Sequence, residues 1–273
     1  MTALVSTDAL AGKLGSPHLS IIDASWHMPS EKRNAYEEYK TAHIPGAVFF
    51  DIDAISDSKS PYPHMLPNAD TFADAVAKLG IGNNHEIVVY DSNGLFSTAR
   101  VWWMFRIFGH DNIKVLNGGL PKWQAEDRPI ESGSPSHKAA SFKTTFRPEL
   151  LRSLDQVRAN VKEQREQLID ARSKGRFDGS EPEPRPGLAS GHITGSVNVH
   201  YKECLMPPYN MLKSNAELKV LFAGKNIDYS KPIAASCGSG VTACILALAL
   251  YELGQTQVAV YDGSWAEWGS EGA

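Results

Sequence analysis

Cys237 opens the stretch Cys-Gly-Ser-Gly-Val-Thr-Ala, and an apolar run follows it as far as Gly254. Its neighbours are those that covalent chemistry at sulfur requires. Gly238 and Gly240 carry no Cβ, so their N–H groups can turn toward one point without steric cost. The apolar run predicts a helix beginning at that same point, whose dipole and first N–H groups also favour negative charge. A free thiol has a pKa of about 8.5, and such surroundings lower it. The thiolate can then attack a second sulfur. The persulfide formed is again an anion, held by the N–H groups of Gly238, Ser239, Gly240, Val241 and Thr242. Ser239 and Thr242 add hydroxyls that donate at the loop or cap the helix. Cys244, one turn into the helix, reads as a small core residue. Cys204, in Tyr-Lys-Glu-Cys-Leu-Met, reads as a loop thiol rather than a redox partner.

These residues need a strand before them and a helix after them, and the chain supplies that arrangement twice. Leu-Ser-Ile-Ile-Asp-Ala-Ser at 19–25 matches Glu-Gln-Leu-Ile-Asp-Ala-Arg at 166–172, and Ala-His-Ile-Pro-Gly at 42–46 matches Gly-His-Ile-Thr-Gly at 191–195. Asp23 and Asp170 are 147 positions apart, Asp91 and Cys237 146, Trp123 and Trp268 145. Matched landmarks in one order with so little drift indicate a duplicated domain. Short apolar runs such as Ile-Val-Val-Tyr and Pro-Ile-Ala-Ala-Ser predict buried parallel strands. Helix-length runs at 98–109 and 242–254 end in glycine, a common stop. The fold expected is α/β, two tandem domains, each a mainly parallel sheet flanked by helices. The bounds expected are 1–127 and 151–273. The polar, aperiodic stretch 128–150 serves as a linker over the surface. Asp91 stands where Cys237 stands, and a carboxylate cannot accept a sulfane sulfur, so the first domain is expected to be catalytically silent. His43 and His192 recur in both copies, which marks them as structural.

Bulk properties narrow the function classes. The 273 residues carry a net charge of −4, with 42% hydrophobic and 21% charged residues and no basic run, which argues against nucleic acid. No apolar segment approaches the roughly 20 residues of a membrane helix. The first residues show neither a signal peptide nor a transit peptide, and a cytoplasmic protein is expected. Three cysteines without ligand spacing predict reduced thiols and no metal. No phosphate-loop lysine or dinucleotide spacing is present, so no cofactor is expected. A cysteine phosphatase needs an arginine six positions beyond its cysteine, where Ala243 stands.

The doubled Asp-Ala and His-Ile-x-Gly landmarks, the paired Trp123 and Trp268, and the Cys-Gly-Ser-Gly-Val-Thr-Ala loop together resemble the two-domain rhodanese superfamily. The likeness is greatest to its branch acting on 3-mercaptopyruvate. The thiosulfate branch carries basic residues where Gly238 and Ala243 stand here. The resemblance implies a sulfurtransferase that moves sulfur from 3-mercaptopyruvate through Cys237 to a thiol or cyanide and releases pyruvate. The alternatives are a thiosulfate sulfurtransferase and a non-enzymatic persulfide carrier or docking module. The partners implied are a small-molecule sulfur donor and a thiol acceptor, which includes thioredoxin-like proteins. It also implies that Arg176 and Arg185 bind the substrate carboxylate, which planar guanidinium groups match. Their residue-level alternative is surface pairing with Glu181 and Glu183. His64 and Asp53 match residues that assist the loop serine, Ser239, and without the resemblance each reads as a loop cap.

Overall fold

The computed structural model describes residues 2–135 and 138–270. Its chain divides into two compact units. The first takes the described residues of 1–58, 67–146 and 207–212, and the second those of 59–66, 147–206 and 213–273. The stretch 59–66, which carries His64, therefore packs with the second unit although the first copy surrounds it in sequence.

Each sheet is built from apolar runs of two to five residues, too short for helices and mostly buried. In chain order the first copy comprises β1 (Leu4–Val5), α1 (Thr7–Ala11), β2 (Leu19–Asp23), α2 (Ala35–Thr41) and β3 (Ala47–Phe49). It continues with α3 (Ala69–Lys78), β4 (Glu86–Tyr90), α4 (Thr98–Ile107), β5 (Ile113–Leu116) and α5 (Gly119–Ala125). The strands lie in the order β1-β5-β4-β2-β3 and all neighbours are parallel.

The second copy begins with β6 (Leu151–Arg152), α6 (Leu154–Glu163), β7 (Gln167–Asp170), α7 (Lys174–Asp178) and β8 (Val197–Asn198). Two short strands, β9 (Leu205–Met206) and β10 (Met211–Leu212), precede α8 (Asn215–Gly224), β11 (Ile233–Ser236), α9 (Ala243–Glu252), β12 (Ala259–Tyr261) and α10 (Ser264–Trp268). The order β6-β12-β11-β7-β8, again parallel, repeats the topology of the first sheet. The expected α/β architecture is thus present in both copies.

The helices that follow the two central strands are the most deeply placed. All ten residues of α4 are buried, as are the first eight of α9, which fits helices with no polar face. The charged residues of α4 are covered by rings: Arg100 lies 4.6 Å from the Trp103 centroid and Arg106 4.8 Å from that of Trp102. No helix among the described residues is long and apolar enough to cross a membrane.

The paired histidines do the same work in each copy. His43 Nδ1 donates to the Tyr39 carbonyl and His192 Nδ1 to that of Phe177, both at 2.8 Å. Each ring stacks on the aromatic residue whose carbonyl it binds. Both are structural pins, as their recurrence predicts.

Segment 128–150 is bound more closely than its aperiodic sequence suggests. Glu131 exchanges two backbone hydrogen bonds with His43, and Ala140 and Thr145 donate to the carbonyls of Ala77 and Phe108. Phe142 is 6% exposed, among Phe72, Phe105 and His110 with centroids 5.7–6.0 Å away. One aromatic anchor and isolated backbone bonds leave no periodicity to read. Replacing that anchor, Phe142→Ala, is expected to cost about 3 kcal/mol of first-unit stability. Urea unfolding of the full chain measures it; a loss below about 1 kcal/mol would show that the ring does not hold the strap.

Candidate active site

β11 ends at Ser236 and α9 begins at Ala243, so Cys237–Thr242 form the strand-to-helix loop at the carboxyl edge of the second sheet. Open α/β sheets bind ligands at that edge. The loop is fastened to the start of α10: Trp265 N–H donates to the Cys237 carbonyl at 3.0 Å and Ala266 N–H to that of Gly238 at 2.9 Å. Ser264, fully buried, accepts the N–H groups of Cys237 at 3.0 Å and Gly240 at 3.2 Å. Its own proton goes to the Tyr261 carbonyl at 2.8 Å, and Cys237 Sγ lies 4.0 Å away. Cys237 is 2% exposed. Among the described residues no acceptor meets the N–H groups of Gly238, Ser239, Val241 or Thr242. Unmatched donors at the head of a buried helix favour negative charge at that point.

The first copy shows what such a loop wants at its centre. Asp91, fully buried, accepts the Asn93 N–H at 2.8 Å with Oδ1. Its Oδ2 accepts Phe96 N–H at 2.7 Å, Thr98 N–H at 3.0 Å and the Thr98 hydroxyl at 2.6 Å. Asp91 occupies the position of Cys237, and Thr98 that of Thr242. The loop closes on a carboxylate that the chain itself provides. At the Ser264 position the first copy has Gly119, with the same left-handed backbone: φ is 53° at Gly119 and 50° at Ser264. A Cβ on Gly119 would fall 2.4 Å from the Asp91 carbonyl oxygen, so the longer first loop takes the space that the serine hydroxymethyl uses in the second.

Basic side chains lie beside Ser239 in the second unit. His64, 6% exposed, has Nδ1 3.1 Å from Ser239 Oγ, and Arg185 Nη2 donates to the same oxygen at 3.4 Å. With Arg185 as donor, the hydroxyl proton can be given to the histidine. A Cβ on Gly238 would lie 3.0 Å from Arg176 Nη2 and 3.8 Å from Arg185 Nη1, so both guanidinium groups rest on the loop where glycine leaves room. Asp53 lies in the first unit and accepts Trp26 Nε1–H at 2.9 Å.

Glu183, read from sequence only as a surface partner, is the joint of this arrangement. Its side chain is 3% exposed and accepts Arg176 Nη2 at 2.6 Å and Arg172 Nη1 at 2.7 Å. Arg172 grips Asp170 at 2.7 Å and lies 4.1 Å over the Trp265 ring. Arg172 is therefore committed to the interior, while Arg176 is held against the loop by one edge of its guanidinium. Glu181 instead accepts the Ser173 hydroxyl. Of the other thiols, Cys244 Sγ donates to the Gly240 carbonyl at 3.2 Å from within the core. Burial pushes Cys204 up to about 12, which removes it as a ready nucleophile.

The Rhodanese-like domain family matches this chain at residues 6–126 and again at 153–271. The "Thiosulfate/3-mercaptopyruvate sulfurtransferase 1, mitochondrial" of Arabidopsis thaliana is 49% identical, over 98% of this chain and 76% of its own length. The human "3-mercaptopyruvate sulfurtransferase" is 44% identical, over 97% of this chain and 91% of its own. The crystal structure of SseA from Escherichia coli, described as a 3-mercaptopyruvate sulfotransferase with the rhodanese fold, is 42% identical. It superposes with a TM-score of 0.89, covering 97% of this chain and 99% of that one.

Asp91→Ala removes one acceptor of four hydrogen bonds and leaves buried donors unmatched. It is expected to destabilise the first unit by about 3 kcal/mol, within the usual range for stranded buried donors. Thermal unfolding reads this loss, and an unchanged midpoint would mean that the carboxylate does not organise the loop.

Proposed function

The chain belongs to the rhodanese-like domain family, and on that premise we propose that it is a 3-mercaptopyruvate sulfurtransferase. The single observation that carries the mechanism is the contrast between the loop closed on Asp91 and the equivalent loop around Cys237, in which the N–H groups of Gly238, Ser239, Val241 and Thr242 meet no acceptor among the described residues. Cys237 as thiolate attacks the sulfur of 3-mercaptopyruvate. The carbon–sulfur bond breaks, its electron pair stays on carbon, and the enolate takes up a proton to leave as pyruvate. The transferred sulfur remains on Cys237 as a persulfide anion facing the N–H groups of Gly238, Ser239, Val241 and Thr242; the Gly240 N–H, expected among them, is instead bonded to Ser264 Oγ and braces the loop. An acceptor thiolate or cyanide then attacks the outer sulfur, the S–S bond breaks, and the Cys237 thiolate returns.

Arg176 and Arg185 hold the substrate carboxylate in this reading, because their guanidinium groups border the loop and match it in shape. Ser239 with His64 handles the proton. Asp53 keeps a supporting role through the resemblance alone. The sulfur chemistry is assigned to the 151–273 domain, served by His64 from the stretch 59–66 that packs with it; the rest of 1–127 is non-catalytic in this reading and 128–150 connects the two. By the resemblance alone, Gly238 in place of a basic residue after the cysteine favours mercaptopyruvate over thiosulfate as donor. The Arabidopsis relative is named for both donors. A thioredoxin-like protein is the acceptor chemistry the mechanism suits. A reducing compartment suits the three free cysteines, and the cytoplasm is our reading, although the Arabidopsis relative is named mitochondrial.

Incubation with 3-mercaptopyruvate and no acceptor is expected to add the mass of one sulfur to the peptide holding Cys237. Cys237→Ser should abolish both that gain and pyruvate release while keeping the fold by circular dichroism. Full activity in this variant would end the proposal, and release only to one protein acceptor would favour the carrier alternative. Glu183→Gln weakens one charged hydrogen-bond pair on Arg176. It should raise KM for 3-mercaptopyruvate about tenfold, the equivalent of about 1.4 kcal/mol, and leave KM for the thiol acceptor unchanged. An equal change in both constants would reduce Glu183 to a general structural role.

A further inference from the structure

We propose that the first unit carries a binding site for a small guanidinium compound, distinct from the Cys237 loop. A cavity of about 360 Å³ opens at the carboxyl ends of β2 and β4, lined by Asp23, Ser25, Ser92, Leu120 and the face of α2 that carries Tyr39. By the internal repeat these first four correspond to Asp170, Arg172, Gly238 and Trp265. In the second unit the space among those residues is filled by the Arg172 guanidinium. It donates to Asp170 through Nε at 3.0 Å and Nη2 at 2.7 Å and stacks 4.1 Å over Trp265. In the first unit Ser25 stops short and Leu120 is smaller than tryptophan. The volume stays open while the carboxylate remains. The twin copy thus indicates the chemistry that this cavity suits.

The residues left behind suit that occupant. Asp23 is 1% exposed; its Oδ1 accepts the Ser25 N–H at 2.9 Å, the Ser25 and Tyr90 hydroxyls also donate to its carboxyl, and no cation among the described residues pairs with it. The other acids of the cavity are already engaged: Glu38 by Arg33 and His27, Glu37 by Lys40. The Ser92 hydroxyl, also at the cavity wall, is buried without a partner. Burial raises the Asp23 carboxyl to about 6. The groups facing it are Ser25, Tyr90 on β4, Asp91 on the following loop and Tyr39 on α2. None of these is cationic, and Arg33 at the wall is spent on Glu38. A guanidinium entering here gains a buried carboxylate with no competing cation, and the cavity is large enough for one bearing a short aliphatic tail.

The test is calorimetric titration of the full chain with methylguanidinium chloride at constant chloride, beside methylammonium. Saturable binding of methylguanidinium at pH 8 is expected, at least tenfold tighter than methylammonium. The ligand needs the charged carboxylate, so affinity should rise with pH through about 6 and level off above it. Asp23→Asn should weaken binding at least tenfold. Ser25→Arg places the chain's own guanidinium where Arg172 sits in the second copy; it should abolish binding and raise the thermal midpoint. Absence of saturable binding to the parent protein, equal binding of the two cations, or binding undiminished in Ser25→Arg would overturn the site.

Discussion

Backbone N–H groups drawn together at the head of a buried helix give up water and face one another with like polarity. Negative charge at its centre stabilises such a loop. The duplicated architecture meets this demand in two ways. In the first copy the charge is a fixed carboxylate, Asp91, bound by three N–H groups and a hydroxyl. In the second the central residue is Cys237, whose charge depends on its chemical state. Parallel strands deliver both loops to the same edge of equivalent sheets, and the all-buried helices α4 and α9 fix where each loop must end.

A second demand follows from placing cations beside that loop. Arg176 near a buried edge is stable only if its charge is balanced, and the balance runs inward through Glu183, Arg172 and Asp170. Buried ion pairs add little net stability, because desolvation consumes most of the Coulomb gain. They do fix geometry. Four alternating charges, with Trp265 stacked on Arg172, leave Arg176 few orientations other than the one against Gly238. In the first copy the same chain is cut at Ser25, and Asp23 is left with a raised carboxyl pKa and an open cavity.

The duplication was legible because it rests on local signals: Asp23 and Asp170 end matched apolar strands, and Gly238 and Gly240 bracket the loop that opens α9. His43 and His192 could be set aside as structural for the same reason. Glu183 could not be separated from any surface glutamate, since its importance comes from two arginines that meet it only after folding. The grouping of 59–66 with the second unit left no trace in composition or period. Phe142 was hidden in a stretch whose only pattern is one aromatic among polar residues. In the sequence Asp91 marks only silence; that it also organises its loop through four hydrogen bonds shows only in the folded chain.

Position 264 joins two requirements that few side chains satisfy together. The backbone there is left-handed, with φ of 50°, a region costly to β-branched residues. The loop also asks for an oxygen close to the main chain to accept two N–H groups. Threonine has the oxygen but carries a branch that this backbone penalises; alanine has neither branch nor oxygen; glycine suits the backbone and leaves the two donors stranded. Sterics and hydrogen bonding thus intersect on a short, unbranched side chain that carries an oxygen, which serine supplies.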